Sequence, residues 1–576
     1  MASNGNNFVN AANKYARDIV NGRIEVCRYV RLACEQHIND LAREKKRGFK
    51  YKFDRAAAQR VCVFIQKLPH TKGKWAAEKK LLVLEPWQLL IICIVFGWKR
   101  KSTNKRRYQT VYIEVPRKNG KTALIAGIGL YMLCADGEYG AEVYCGATTE
   151  KQALEVFRPA KQICKKLPDL VDYFGVEINA QNLNKPADNS RFEPVIGDPG
   201  DGSSPSCAIH DEVHEHKTSA QIDTMDTGMG AREQPIQAFI TTSGYDIEGP
   251  CYSIRQEVID NLEGISRNEK MFGLVYTLDP DDDWTKIESV KKANPNYGVS
   301  VSKEYLETQL KRAIASKRRQ SQFKTKHCNI WVQAKDAFIN LEKWKACFDE
   351  TLSLNDFAGC EATVSLDLAS KLDLTARVQI FYRDIERQRH YYCVAPSFYI
   401  PEDTVYSNSE NPKLAERYEK WVNMGFLTPT PGAEVDFREV KDEILELRES
   451  FKITSIPIDP HGATGISHDL LDEGLEVVTV PQNYTQMTAP MKELEAAIES
   501  GRFHHDGNPI MTWCLGNMIA AVTRDEKMMR PVKEKRESKI DGAVALVMAL
   551  SRIIPDQEDT QYDALKDLED ISDLII

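Results

Sequence analysis

The chain has 576 residues, 42% of them hydrophobic and 28% charged, with a formal net charge of −8. At roughly 150 residues per domain that length implies two to four domains, and the composition excludes a mainly disordered chain. An acidic balance gives no overall attraction for a polyanion, and no stretch reads as a secretory signal or as the roughly 20 apolar residues of a bilayer span.

Residues 11–68 carry apolar side chains at helical spacing among Arg, Lys and Glu and read as helical. In residues 81–98, Pro86 stands at a first helical position before Trp87-Gln88-Leu89-Leu90. The period then changes. Val111-Tyr112-Ile113-Glu114-Val115 is a strand candidate, and a helix is expected over residues 122–134. The alternation repeats: a strand at 141–145, a helix at 151–166 closed by Pro168, then Cys207-Ala208-Ile209-His210 ending at Asp211. Gln237-Ala238-Phe239-Ile240-Thr241 follows, ending at Thr242-Ser243-Gly244. Alternating strands and helices predict a parallel sheet covered on both faces, with ligands at the carboxyl ends of its strands.

Residues 252–335 read as mostly helical and charged, broken at Asn294-Pro295-Asn296. A second strand-rich block begins near Thr363, with three successive antiparallel strands at 363–368, 375–382 and 390–394. Ile456-Pro457-Ile458-Asp459 and Val477-Val478-Thr479-Val480 resume the pattern, and a helix at 541–551 closes the block. The expected division is a helical extension at 1–80, an α/β core at 81–250, a helical lid or linker at 251–345 and a second α/β domain at 355–576.

The 14 cysteines include no C-x-x-C pair, and many sit in apolar runs. This fits a reducing compartment rather than a disulfide framework or zinc ribbon. Three basic blocks break the acidic average: Lys99 to Arg107, Lys311 to Lys326, and Lys533 to Lys539. Each reads as a solvated face or as a phosphate-backbone contact.

Gly120-Lys121-Thr122 follows a strand and opens a helix, where backbone N–H groups can hold phosphate oxygens. Lys121 would reach the β- and γ-phosphates, and the Thr122 hydroxyl would ligate Mg²⁺. The first Gly of the G-x-x-x-x-G-K-T pattern is replaced by Val115, and Pro116 follows without an N–H. At the end of a later strand, Asp211 would hold Mg²⁺ through water and Glu212 would orient or deprotonate the attacking water. A competing reading is a metal site of His210, His214 and His216. Arg117, Arg158 and Arg232 could each stabilise a transferring phosphoryl or serve as ordinary structural arginines.

Asp367, Asp459 and Asp541 each stand at a strand end or helix start, where three carboxylates could share two Mg²⁺ or Mn²⁺ ions, with Asp373 as a fourth ligand. The alternative is that each forms a turn or caps a helix.

The ordered set of motifs resembles the large subunit of tailed-bacteriophage terminases. Its carriers are Glu85-Pro86-Trp87-Gln88, the run Glu114 to Thr122, His210-Asp211-Glu212, and Thr241-Thr242-Ser243-Gly244. Ser365-Leu366-Asp367-Leu368-Ala369, Asp373-Leu374-Thr375-Ala376, Ile458-Asp459-Pro460 and Lys539-Ile540-Asp541 complete it.

The resemblance implies an α/β fold: an ASCE-type P-loop ATPase with a mainly parallel sheet, then an RNase H-like nuclease. It places Trp87 and Gln88 near the adenine, with Arg117, Lys118 and Asn119 in the ATP-binding loop. It makes Thr241, Thr242 and Ser243 couple hydrolysis to DNA movement, and Asp367, Asp459 and Asp541 the nuclease acids. Family loops often lack the first Gly. The implied cofactors are Mg²⁺ for the ATPase and two Mg²⁺ or Mn²⁺ for the nuclease, with ATP as substrate. The implied partners are double-stranded DNA, a small terminase subunit, a portal protein and further copies in a pentameric ring. The implied location is the bacterial host cytoplasm, with transient docking on the procapsid portal and no membrane role. Alternatives are an ATP-dependent helicase or repair translocase with an attached nuclease, and a nucleotide-regulated scaffold.

Overall fold

In the computed structural model the chain divides into two units, Met1–Val332 and Gln333–Ile576. The structure describes residues 7–147, 149–197, 202–247, 249–332, 338–368, 374–406, 412–460, 463–523, 527–533 and 538–555. Asp373, Lys535, Arg536 and the acidic C-terminal tail lie outside the described residues.

The first unit is built on β1 (Thr110–Glu114), β2 (Glu142–Ala147), β3 (Ser190–Ile196), β4 (Cys207–Asp211), β5 (Ile236–Thr241) and β6 (Met271–Val275). They lie in the order β6-β1-β5-β4-β2-β3, all parallel, and two short antiparallel strands at Leu183–Lys185 and Glu177–Ile178 extend the β3 edge. Every residue of β4 and β5 is buried, as a strand covered on both faces requires.

The strand β6 corrects the expectation of a mostly helical stretch after residue 252. Met271-Phe272-Gly273-Leu274-Val275 is a five-residue apolar run too short for a helix, and it pairs along β1 with Met271 opposite Thr110.

The N-terminal region is helical over α1 (Phe8–Val20), α2 (Arg28–Arg43) and α3 (Arg55–Gln66), but Tyr51–Phe53 is a strand. It pairs antiparallel with Trp98–Arg100 just after α4 (Pro86–Gly97). As expected, Pro86 opens α4, with Glu85 and Gln88 forming a capping box around it. These helices share one hydrophobic cluster with the sheet, running from Val9 to Tyr276. His37 is buried in it: its Nδ1 accepts from Trp98 Nε1 at 3.1 Å, and its Nε2 meets Asn13 Oδ1 at 2.9 Å.

In the second unit, β7 (Glu361–Asp367), β8 (Thr375–Ile385) and β9 (Gln388–Cys393) are the expected successive antiparallel strands. On the other side of β7, β10 (Lys452–Ile458) and β11 (Val477–Thr479) run parallel to it. A helix at Asp541–Leu550, buried from Gly542 to Leu550, packs against β7, β8 and β10. Strands at Ser397–Pro401, Thr428–Thr430 and Phe503–His505 complete the mixed sheet. Among the described residues no helix is long and apolar enough to cross a membrane.

Candidate active sites

After β1 the chain turns through residues 115–120 into α5 (Lys121–Cys134). Gly120 holds φ +85°, and a Cβ there would stand 3.3 Å from Gln88 Nε2 and 3.4 Å from Asn296 Nδ2. Both facts favour glycine. The Lys121 side chain is buried and folds back on the loop, its Nζ donating to Val115 O at 2.7 Å and to Thr241 O at 3.3 Å. Burial holds its pKa below the usual lysine range against the pull of Glu212 and Asp211. Residue 115 therefore contributes its carbonyl to the loop, with its side chain buried. Thr122 lies half-buried on the first turn of α5.

The loop is tied to the segment after β6. Asn119 Nδ2 donates to Asn294 Oδ1 at 3.0 Å, while Asn296 donates its backbone N–H to Asn119 Oδ1 at 3.0 Å and its Nδ2 to Asn119 O at 2.9 Å. Ser300 Oγ donates to Lys118 O at 2.6 Å, and Arg117 N donates to Lys326 O at 3.1 Å. Asn294 and Asn296 read in sequence only as a helix break; nothing local marks them as loop holders.

Beside Gln88, Gly120 and Asn296 opens a mainly apolar cavity of about 290 Å³, walled also by His70, Trp75 and Leu82. The N-terminal region thus supplies part of its wall. Trp87 is not in that lining; it is buried, and its Nε1 donates to Asn296 Oδ1 at 2.6 Å.

At the end of β4, Asp211 and Glu212 are adjacent, with Glu212 in the left-handed region at φ +49°. Burial, and then the charge on Glu212, pushes the Asp211 carboxyl up to about 7. Burial also pushes Glu212 upward, but Lys121, His214, Lys326 and Arg117 outweigh it and hold this carboxyl below its ordinary value. His214 Nδ1 lies 3.2 Å from Glu212 Oε2 and 3.0 Å from Thr241 Oγ1, and its Nε2 accepts from Lys326 Nζ at 3.0 Å. Both nitrogens face protein groups, and His210 stacks on Phe239 with centroids 5.1 Å apart. Among the described residues His210, His214 and His216 form no metal-holding group.

The three residues after Ile240 are wholly buried. Thr241 Oγ1 accepts from His214 N at 3.1 Å, and Thr242 Oγ1 is 3.5 Å from Lys326 Nζ. Ser243 N donates to Asn329 Oδ1 at 2.7 Å, and its Oγ meets Thr325 O and Ile330 O at 3.0 Å. The strand end thus touches Lys121 on one side and the turn 324–330 on the other. Of the remaining arginines, Arg158 is exposed, and Arg232 donates to Ser204 O at 2.7 Å between Glu138 and Glu142. Arg232 ties these loops together.

In the second unit, Leu366 of β7 pairs with Ile458 of β10, so Asp367 and Asp459 follow at the carboxyl ends of adjacent parallel strands. Asp541 is the first residue of the helix packed on those strands, with Ile540 at the cap position. Burial pushes the Cys514 thiol upward, and the charges of Asp541 and Asp367 add to it. Gln482 Nε2 donates to Asp367 Oδ1 at 3.4 Å, a partner that no motif signalled. Asp367 and Asp459 thus end neighbouring strands and Asp541 begins the helix packed on them, and among the described residues no three His, Cys, Asp or Glu side chains close into a metal-holding group. Three carboxylates are the hard oxygen donors that a divalent cation such as Mg²⁺ takes.

Residues 86–259 match the family model for the terminase large subunit ATPase domain, and residues 265–556 match that for the terminase large subunit endonuclease domain. Protein YmfN of Escherichia coli K12 is 53% identical over 371 residues, covering 64% of this chain and 82% of that protein. The terminase large subunit of Enterobacteria phage HK97 is 28% identical over 503 residues, covering 85% and 94% respectively. The crystal structure of the HK97 bacteriophage large terminase superposes with a TM-score of 0.42 at 26% identity, over 86% of this chain and 99% of that one.

Proposed function

Because this chain belongs to the family of terminase large subunits, an ATPase joined to an endonuclease, we propose how its residues divide the work of packaging and cutting DNA. The family's partners are DNA and the packaging machinery, and its ATPase and nuclease domains use divalent metals. An ATP-dependent helicase or repair translocase is not favoured.

In the ATPase centre, Lys121 leaves its carbonyl acceptors for the β- and γ-phosphates, and the base enters the cavity beside Gln88, with Trp87 bracing Asn296. Arg117, Lys118, Asn119 and Gly120 shape the phosphate loop. Thr122 and Asp211 would hold Mg²⁺, which would neutralise phosphate charge. Glu212, kept ionised by the cations around it, orients and deprotonates the attacking water. Thr241, Thr242 and Ser243 pass the change in the phosphate pocket to the turn at 324–330, and so to DNA movement.

In the nuclease centre, Asp367, Asp459 and Asp541 would hold two Mg²⁺ or Mn²⁺ ions, which supply charge neutralisation for phosphodiester cleavage. The working assembly is a pentameric ring on the portal in the host cytoplasm, with a small subunit choosing the DNA. The observation that carries this reading is the meeting of Lys121, His214 and Lys326 on Thr241-Thr242, which joins the phosphate loop, the Glu212 turn and a third element at one strand end.

The test is a pair of variants. Glu212→Gln should lose at least 100-fold in ATP turnover and still nick plasmid DNA. Asp367→Ala should lose Mn²⁺-dependent nicking and keep ATP turnover. A chain that cleaves without Asp367 and hydrolyses without Glu212 overturns both assignments.

A further inference from the structure

Next to the phosphate loop, distinct from the base cavity, lies a second cavity of about 420 Å³. Arg117, Lys118, Arg312, Arg319, Lys326 and His327 line it, together with two glutamine amides, and its lining holds no carboxylate. Among the described residues none of its five Lys and Arg side chains is ion-paired with a carboxylate. Like charges that share a cavity with no carboxylate in its lining repel one another, and a bound anion relieves that cost. Burial, and next Arg117, push the Lys326 ammonium down to about 8 against the pull of Glu212 and Glu215. His327 is 8% exposed, and its buried Nδ1 has no hydrogen-bond partner.

These last two residues sit on a widened helical turn, Lys324–Cys328, that ends at Asn329 with φ +59°. Such turns expose groups that an ordinary helix would hold in its ladder, and they recur at functional sites.

We infer that this cavity is an oxyanion subsite that takes a phosphate group, and that its occupant draws Lys326 away from His214 and Thr242. The arginines and lysines supply charge, the glutamines supply neutral donors, and His327 supplies a ring nitrogen without a partner. Lys326 now donates to His214 Nε2 at 3.0 Å and lies 3.5 Å from Thr242 Oγ1, so a phosphate that claims its ammonium loosens both contacts. That consequence for turnover rests on the roles proposed for Glu212 and Thr242; the binding site does not. The phosphate group comes either from orthophosphate or from the backbone of bound DNA, and the chemistry of recognition is the same.

Arg312 and Arg319 are exposed and lie outside the ATP-binding loop, so Arg312→Gln/Arg319→Gln alters the site without touching that loop. The full chain, free of nucleotide, is titrated with orthophosphate by calorimetry and with a short DNA duplex by anisotropy. Orthophosphate affinity should fall at least tenfold in Arg312→Gln/Arg319→Gln, which leaves the Lys121 loop intact. If instead Lys121→Ala abolishes binding and the double variant retains it, the phosphate sits in the Lys121 loop and the inference is overturned. If only the duplex binds, and the double variant weakens it at least tenfold with a salt slope lower by about 2, the source is the DNA backbone. If neither ligand distinguishes the double variant from the parent, no such subsite exists. A Glu212→Gln chain that still turns over ATP would overturn the ATPase reading and leave this binding result standing.

Discussion

Trp87 and Asn296, 209 residues apart in the chain, are joined by a 2.6 Å hydrogen bond from the indole nitrogen to the amide oxygen. The same Asn296 side chain holds Asn119 O, so one residue ties the helix after Pro86 to the phosphate loop. Asn296→Ala leaves a buried indole N–H with no acceptor, at a cost of about 1–3 kcal/mol. A lower melting temperature and at least tenfold weaker binding of a fluorescent ATP analogue are expected. Trp87→Phe removes the donor as well, so the double variant should cost less than the sum of the single ones. Strict additivity would mean that the pair does not act as a unit.

His214 lies against Glu212, Glu215, Thr241 and Lys326, none of them in the phosphate loop, which makes it a positioning residue. His214→Ala should lower kcat roughly tenfold with KM for ATP within about twofold, because ground-state binding does not use it. His214→Gln, which keeps one donor and one acceptor, should recover part of the loss. An equal fall in both variants with a raised KM would assign His214 to nucleotide binding instead.

Gln482 Nε2 donates to the Asp367 carboxylate at 3.4 Å. Groups that orient a metal-binding carboxylate typically change metal affinity about 10–100-fold when removed. Gln482→Ala should therefore shift the Mn²⁺ concentration for half-maximal nicking upward by about that factor, with ATP turnover unchanged. An unshifted titration would remove Gln482 from the nuclease centre.

Burial, and then Arg17 and Arg107, lower the pKa of His37 from 6.5 to about 3. The folded form therefore favours the neutral ring. Its contribution to stability is complete above pH 6.5 and is lost progressively as pH falls from there toward 3, because the unfolded chain binds the proton first. Between pH 7 and pH 5 the loss is about 2 kcal/mol. His37→Gln should flatten this part of the stability-against-pH curve, measured by denaturant unfolding. A variant with the parent's slope would place the pH sensitivity elsewhere.

By itself the amino-acid sequence determined the strand and helix alternation of the first unit, the helix at Pro86, and the antiparallel start of the second sheet. These depend on periodicity, β-branching and caps within a few residues of each other, and such signals are local. It also placed Lys121, Asp211 and Thr241 at strand ends and a helix start, because a parallel sheet delivers chemistry there. It passed over β6, whose short apolar run becomes a strand only by pairing with β1.

The tertiary structure alone decided which distant groups surround Trp87, Lys121 and Glu212. The Asn296 amide that takes the Trp87 indole proton, the His70–Trp75 wall of the base cavity, and the Lys326 turn on Thr242 all come from outside the motifs they serve. No spacing rule links residues 209 positions apart. Their contact follows from the helix at Pro86 and the segment after β6, which packs in a cluster of its own, meeting at the phosphate loop.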